Sequence, residues 1–114
     1  MTLKGWVWYQ GENNMHGFFG NSADQSGYSC LAVKLIADWR AIWAKSSGTA
    51  ADAPFGVVTL PPSGGEGGAD IRSMGHAQTG SWGIMPNPDM LNTFVAQGCK
   101  SLAGCATSKI QLRD

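Results

Sequence analysis

A long amphipathic stretch lies between two short apolar runs, and this order of elements strongly limits the possible folds. Residues 4–10, with bulky β-forming side chains from Trp6 to Tyr9, are predicted to form a buried strand, and Phe55-Gly-Val-Val-Thr-Leu60 has the length and composition of a second one. The stretch between them, residues 28–45, has helical periodicity. Strand, helix and strand in this order predict a βαβ unit, in which the strands lie parallel and the helix crosses the sheet.

The predicted helix has a single apolar face. Its apolar side chains recur at the i, i+3, i+4 and i+7 spacing: Tyr28, Leu31, Ala32, Leu35, Ile36, Trp39, Ile42 and Trp43. We expect Ser26 to be the N-cap and Gly48 to follow the end of the helix, while Trp39 and Trp43 lie in the core. Residues 70–79 predict a short second helix, 92–98 a third strand, and 12–27 and 80–91 loops.

These elements predict one α/β domain spanning residues 1–114, specifically part of a three-layer α/β/α sandwich with a mostly parallel sheet. The chain has 114 residues, of which 43% are hydrophobic, and this is enough for one packed core. Lys and Arg number eight and Asp and Glu number eight, so the net charge is zero. Nucleic acid and anionic membranes require a basic excess, and we therefore expect neither as a partner.

The composition also argues against several other classes of protein. No apolar run is long enough to span a membrane, and the N-terminus lacks the pattern of a signal peptide. The protein is therefore expected in the cytosol unless a targeting segment lies elsewhere. The three cysteines are too few for a disulfide scaffold; we favour reduced thiols, although a Cys99–Cys105 bridge is conceivable. His16 and His76 lack the paired spacing of zinc ligands, so no metal and no cofactor is predicted.

The end of the first strand carries the most informative polar residues. Gln10, Gly11 and Glu12 directly follow the apolar run. In an open α/β sheet, ligands bind beyond the carboxyl ends of the strands. This position predicts that Gln10 and Glu12 form one wall of an active site.

Several motifs resemble one known family and occur in the same order. Trp8-Tyr-Gln-Gly-Glu-Asn-Asn14 resembles the Trp-Tyr-Gln-Gly-Glu-(Ser/Ala)-Asn block of the sialate O-acetylesterases, a branch of the SGNH hydrolases. Leu35-Ile-Ala-Asp-Trp-Arg40 resembles the end of the family's helix, and Pro54-Phe-Gly-Val-Val58 its next strand. Ile71-Arg72 with Gln78-Thr79 is similar to its Ile-Arg-x-x-Gln-Thr segment. Met85–Phe94 is similar to its Val-Pro-Asn-Pro-x-Met-x-Asn-Thr-Phe segment.

The resemblance implies an SGNH-like, flavodoxin-like fold and the removal of acetyl esters from sialic acid, with an O-acetylated sugar as the ligand. Gln10 stands at the oxyanion or substrate end of the strand, where an amide N–H can stabilise developing negative charge. Arg72 can bind the sialic acid carboxylate, and His76 and Gln78 join it as predicted substrate-binding residues. Glu12 is predicted either to contact substrate or to have a structural hydrogen-bonding role, and we favour the structural role. The resemblance also implies a secreted or lysosomal location.

Two departures from the family pattern bear on catalysis. The family's serine nucleophile lies on an earlier strand in a Gly-Asp-Ser-like block, and no such block precedes residue 4 here. The family's histidine base lies in Ile-His-Pro-Arg-Asp, where this chain has Gln111, which cannot accept a proton at neutral pH. We expect the missing strand to leave an apolar sheet edge that needs an upstream segment or a partner chain. The alternatives are a catalytically inactive sugar-binding relative and a truncated product without function.

Overall fold

A computed structural model of the chain describes residues 1–15, 26–61 and 71–98. The described elements alternate between strands and helices. In chain order they are β1 (Trp6–Tyr9), a 3₁₀ turn (Glu12–Met15), α1 (Ser26–Ser47), β2 (Phe55–Thr59), α2 (Ile71–Ala77) and β3 (Thr93–Gln97). Each predicted strand and both predicted helices are therefore confirmed, with strands that are slightly shorter than predicted.

The three strands form a single parallel sheet in the order β1-β2-β3. Trp6 pairs with Phe55, and Phe55 pairs with Thr93, so the strands begin at nearly the same level. A parallel sheet with crossover helices is the architecture that the strand-helix-strand pattern predicts, and the α/β class is confirmed. All carboxyl ends of the strands meet at one edge of the sheet, which is the edge that Gln10 follows.

One face of the sheet packs against α1 through aromatic side chains. The Trp8 and Trp39 rings meet edge to face with centroids 5.4 Å apart, and the Trp6 and Phe55 rings stack at 5.7 Å. Trp39 also contacts Phe55 at 6.2 Å, so its predicted place in the core is confirmed. Pairs of this kind add about 0.5–1.5 kcal/mol beyond the apolar area that they bury.

The predicted limits of α1 and of its apolar face need correction. Ser26 is the first residue of the helix, so it is not an N-cap, and the predicted 12–27 loop contains a 3₁₀ turn and the start of α1. Gly48, with φ of 68°, follows the end as predicted. Leu31 and Ile42 are 44% and 60% exposed, because they lie about a quarter turn or more from the buried centre of the helix.

The opposite face of the sheet carries apolar side chains that are open to solvent. Val7 is 72% exposed and Tyr9 is 55% exposed on β1, and Phe94 lies across Gly56 on the same face. Parallel sheets are usually covered on both faces. β1 is an outer strand of the described sheet, as the sequence indicates. That an upstream segment or partner chain covers this edge stays a prediction.

The amino-terminal ends of the strands are joined to α1 by one side chain. The Arg40 guanidinium donates hydrogen bonds to three main-chain carbonyls: Ala53, just before β2, and Leu91 and Asn92, just before β3. We call these three acceptors the carbonyl cluster. Burial lowers the pKa of Arg40, and the nearby charge of Asp52 opposes that effect. None of the helices in the described part of the chain is long and apolar enough to cross a membrane.

Candidate functional site

The main chain of Gln10 is held in place by two side chains from other elements. Its carbonyl oxygen accepts a hydrogen bond from Gln78 Nε2 at 2.9 Å and another from the Tyr28 hydroxyl at 3.1 Å. Tyr28 comes from the first turns of α1, and Gln78 follows α2 directly. Both helices therefore fix the point at which β1 ends, at the carboxyl edge of the sheet.

The Gln10 side chain has different partners at its two ends. Oε1 accepts from the Tyr28 hydroxyl at 3.2 Å, whereas Nε2 donates to Asn14 Oδ1. The side chain is half-buried, so it is neither part of the core nor free in solvent. An amide nitrogen carries two hydrogens, and the bond to Asn14 uses one of them. The second N–H of this amide therefore has no hydrogen-bond acceptor among the residues that the structure describes.

Gly11 allows the chain to turn back toward Gln10. Its φ is +145°, and an added Cβ would lie 3.4 Å from Gln78 Nε2 and 3.5 Å from Met74 Sδ. Residues with a side chain rarely adopt this backbone conformation. The 3₁₀ turn follows at once, with the Asn14 amide donating to the Gly11 carbonyl at 3.1 Å. The glycine is thus what brings Asn14 within reach of the Gln10 side chain.

Gln78 makes its described hydrogen bonds to the main chain. It is fully buried, and its Oε1 accepts from the Leu60 amide at 3.0 Å. Its Nε2 also lies 3.4 Å from the Val58 carbonyl, in addition to its bond to Gln10. This amide therefore joins the ends of β1 and β2. Its predicted role in binding substrate stays a prediction, because these contacts show what holds the strand ends and not what binds there.

Tyr28 lies among polar groups although it is buried. Burial is the main cause that raises its pKa above 10.0, and the side-chain hydrogen bonds of Trp8 and Gln78 act in the opposite direction. The charge of Glu12 contributes a smaller upward effect on the pKa of Tyr28. Glu12 itself is half-buried in the 3₁₀ turn. Its contact with substrate and its structural role both stay predictions.

Two of the predicted substrate-binding residues lie on the exposed side of α2. Arg72 and His76 are both exposed and four residues apart, so they lie on one side of the helix. The opposite side of α2 is buried through Ile71, Met74 and Ala77. His76 lies beside Gly83, where an added Cβ would be 3.6 Å from its ring. The structure leaves both side chains accessible to a ligand, and their binding roles stay predictions.

Four other candidates lie outside the described residues: Gln111, His16, Cys99 and Cys105. Within residues 1–15, 26–61 and 71–98, no group of three or more His, Cys, Asp or Glu side chains is arranged to hold a metal ion. The described side chains that contact Gln10 are two amides and a phenol.

Sequence reasoning missed two members of this site. Asn14 was visible as the last residue of the motif that begins at Trp8, yet nothing in the spacing indicated that a turn returns it to Gln10. Tyr28 was interpreted as an apolar residue of the helix face. Its burial is confirmed at 5% exposure, and the structure adds that its hydroxyl is directed at the end of β1.

Comparison with known proteins identifies the relatives of this chain. The sialate O-acetylesterase of Homo sapiens is 39% identical over 103 residues, covering 84% of this chain and 18% of that protein. The sialate O-acetylesterases of Mus musculus and Rattus norvegicus are both 40% identical over 103 residues, covering 84% of this chain and 17% of each. This is a sialate O-acetylesterase-like chain. No protein-family model matches it.

The sialate O-acetylesterase-like motifs occupy both ends of the parallel sheet. The motif from Trp8 to Asn14 forms the end of β1 and the turn that follows it. Arg40, the last residue of the helix motif, bonds the carbonyl cluster at the opposite end. The chain spans less than a fifth of the length of the curated relatives it matches.

Proposed function

We propose that this chain contributes the oxyanion-binding wall of an enzyme that hydrolyses acetyl esters on sialic acid or a related sugar. The observation that carries the proposal is the Gln10 side chain, which ends β1 at the carboxyl edge of a parallel sheet with Nε2 bonded to Asn14. The names of the relatives supply the substrate class.

The chemistry of ester hydrolysis suits an amide at this position. Attack on the acetyl carbonyl converts its oxygen into an oxyanion, and a fixed N–H donor stabilises that charge. Asn14 accepts one Nε2 hydrogen, which leaves the other for the substrate oxygen. Loss of one oxyanion donor typically raises the barrier by about 3–4 kcal/mol. The role proposed for Gln10 is therefore to bind the reacting oxygen and not to move a proton.

Hydrolysis also needs a nucleophile and a base, and the described side chains that contact Gln10 supply neither. The groups that contact Gln10 are the amides of Asn14 and Gln78 and the phenol of Tyr28, all neutral near pH 7. The printed sequence has no Gly-Asp-Ser block, and Gln111 stands where the family pattern has histidine. The proposal therefore includes a serine and a base that a further segment of polypeptide supplies.

Arg72 and His76 complete the proposed binding surface. Their shared exposed side of α2 presents cationic or hydrogen-bonding groups to solvent. Sialic acids carry a carboxylate, and the planar Arg72 guanidinium can bind it through two parallel hydrogen bonds. The second candidate function follows from Gln111: a relative that binds O-acetylated sugars and does not turn them over.

The two candidates make different predictions for the gene and for the chain. The ester-hydrolysing enzyme requires a reading frame that encodes Gly-Asp-Ser beside this segment. The polypeptide that joins that frame to this chain should release acetate from mono-O-acetylated N-acetylneuraminic acids. Gln10→Leu should lower that rate by about 10²–10³-fold. The second predicts binding of these sugars without acetate release.

The 114-residue chain itself provides the direct test. Titration calorimetry should give tighter binding of mono-O-acetylated N-acetylneuraminic acids than of N-acetylneuraminic acid, and acetate release should stay at background. Lys34→Met is the matched control, because Lys34 pairs with Asp38 on the solvent side of α1. Equal affinity for the acetylated and unacetylated sugars would contradict both candidates, and rapid acetate release by the chain alone would contradict the absence of a nucleophile.

A further inference from the structure

The Gln10 amide has two ends of similar size and opposite hydrogen-bonding character. A half rotation of the amide would exchange Nε2, which donates, with Oε1, which accepts. A ligand oxygen that gains negative charge is stabilised by the first arrangement and repelled by the second. Whatever fixes the rotation of this amide therefore decides whether Gln10 can act as an oxyanion donor.

Tyr28 has the geometry to fix that rotation. Its hydroxyl lies 3.2 Å from Gln10 Oε1 and 3.1 Å from the Gln10 carbonyl oxygen, and a carbonyl can only accept. The Tyr28 hydroxyl carries one proton, and both of the Gln10 oxygens lie within hydrogen-bond distance of it. The proton is shared between these two acceptors and favours the Oε1 end of the amide, because Nε2 in that place would offer no acceptor.

We infer that Tyr28 is a positioning residue, which orients the Gln10 amide so that Nε2 faces Asn14 and the ligand. The inference deepens the proposed function and rests on it for the identity of the ligand. Gln78 holds the main chain of Gln10 at the same point, with Nε2 2.9 Å from its carbonyl oxygen. Tyr28 differs from Gln78 because it contacts both the main chain and the side chain of Gln10.

The orientation can be measured without any ligand. In the full chain labelled with ¹⁵N, the two side-chain amide protons of Gln10 are assigned by their loss in Gln10→Glu. In Tyr28→Phe, we expect these two resonances to move toward the positions of an unstructured glutamine, because the ring stays and the hydroxyl is lost. Tyr9→Phe is the matched control, since Tyr9 is more than half exposed on the open sheet face. Unchanged Gln10 resonances in Tyr28→Phe, or equal changes in Tyr9→Phe, would overturn the inference.

A second variant keeps the test decisive if Tyr28→Phe does not fold. Asn14→Ala removes the acceptor of Nε2 and leaves the Tyr28 hydroxyl in place. If Tyr28 sets the orientation, one Gln10 amide proton should shift in this variant while the pair stays distinct from an unstructured glutamine. Collapse of both resonances to unstructured positions in Asn14→Ala would assign the orientation to Asn14 and refute the role of Tyr28.

Binding measurements separate this inference from the proposed function. Tyr28→Phe should bind mono-O-acetylated N-acetylneuraminic acid about threefold to tenfold more weakly than the unaltered chain, which corresponds to one lost hydrogen bond. Its affinity for N-acetylneuraminic acid should not change. If the unaltered chain shows no preference for the acetylated sugar, the proposed function fails while the amide resonances still decide the role of Tyr28. If the Gln10 amide resonances move in Tyr28→Phe while its preference for the acetylated sugar does not change, the link between amide orientation and binding is refuted.

Discussion

Replacing Arg40 should destabilise the fold far more than replacing another cationic residue on the same helix. Its guanidinium donates four hydrogen bonds of 2.7–3.0 Å to the carbonyl cluster. Arg40→Met keeps much of the apolar stem and removes every donor. The Ala53 carbonyl, in a residue that is only 3% exposed, would then lose both of its guanidinium donors.

The size of the effect follows from the surroundings of each bond. The bonds to Ala53 are partly buried, whereas those to Leu91 and Asn92 are exposed. An unsatisfied buried acceptor costs about 1–3 kcal/mol, and an exposed bond contributes about 0.5 kcal/mol. We therefore expect Arg40→Met to lower the free energy of unfolding by about 2–4 kcal/mol. Arg40→Lys should lose more than half of that amount, because a single ammonium cannot reach carbonyls before two different strands.

Urea denaturation followed by tryptophan fluorescence measures this difference. With a slope of about 1–3 kcal/mol per molar urea, a loss of about 2–4 kcal/mol should lower the midpoint for Arg40→Met by about 0.7–4 M. Lys34→Met removes the exposed pair with Asp38 from the same helix and should change the free energy by less than about 0.5 kcal/mol. Equal midpoints for the two variants would refute the role of the carbonyl cluster. Full stability in Arg40→Lys would show that charge alone matters.

Three further variants test other contacts. An added Cβ at Gly56 would lie 2.5 Å from Phe94 Cζ, so Gly56→Ala should cost about 1–3 kcal/mol in urea denaturation, and a Phe94→Ala background should remove most of that cost. Burial raises the pKa of Tyr28 above 10.0, so this phenol ionises at a lower pH in the unfolded chain than in the folded chain. The contribution of the neutral phenol to stability is therefore fully present below pH 10.0 and is lost as the pH rises through the raised pKa. In alkaline scans, the melting temperature of Tyr28→Phe should fall less with pH than that of the unaltered chain. Gln78→Leu leaves the Leu60 amide without its acceptor and should cost about 2–3 kcal/mol in urea denaturation, whereas no loss would contradict its role at the strand ends.

The sequence predicts the order of elements well because each is marked by its own periodicity. Alternating bulky residues identify β1 and the 3.6-residue repeat identifies α1, and both patterns arise within a few consecutive residues. The flanks of the helix were less predictable. Leu31 and Ile42 satisfy the helical repeat yet are exposed, since a described sheet of three strands reaches only the centre of the helix face.

The partners at the candidate site depend on distances along the chain that no local pattern encodes. Gln78 lies 68 residues from Gln10 and meets it only because α2 ends beside the carboxyl edge of the sheet. Tyr28 fits the apolar repeat of α1, and periodicity cannot indicate where a hydroxyl points. A motif can therefore locate Gln10 at a strand end, while the groups that orient its amide emerge only from the packing of α1 and α2.

Different side chains form the hydrogen bonds at the two ends of the sheet. A variant at the amino-terminal end can therefore change stability without changing the proposed site at the carboxyl end. At the amino-terminal end, Arg40 bonds carbonyls that have no contact with Gln10. At the carboxyl end, Tyr28 and Gln78 bond Gln10 itself. A change at Arg40 should therefore lower the free energy of unfolding and leave the Gln10 amide resonances of the folded chain in place. Tyr28→Phe should move those resonances, because it keeps the buried ring and removes the one hydroxyl proton that distinguishes the two ends of the amide.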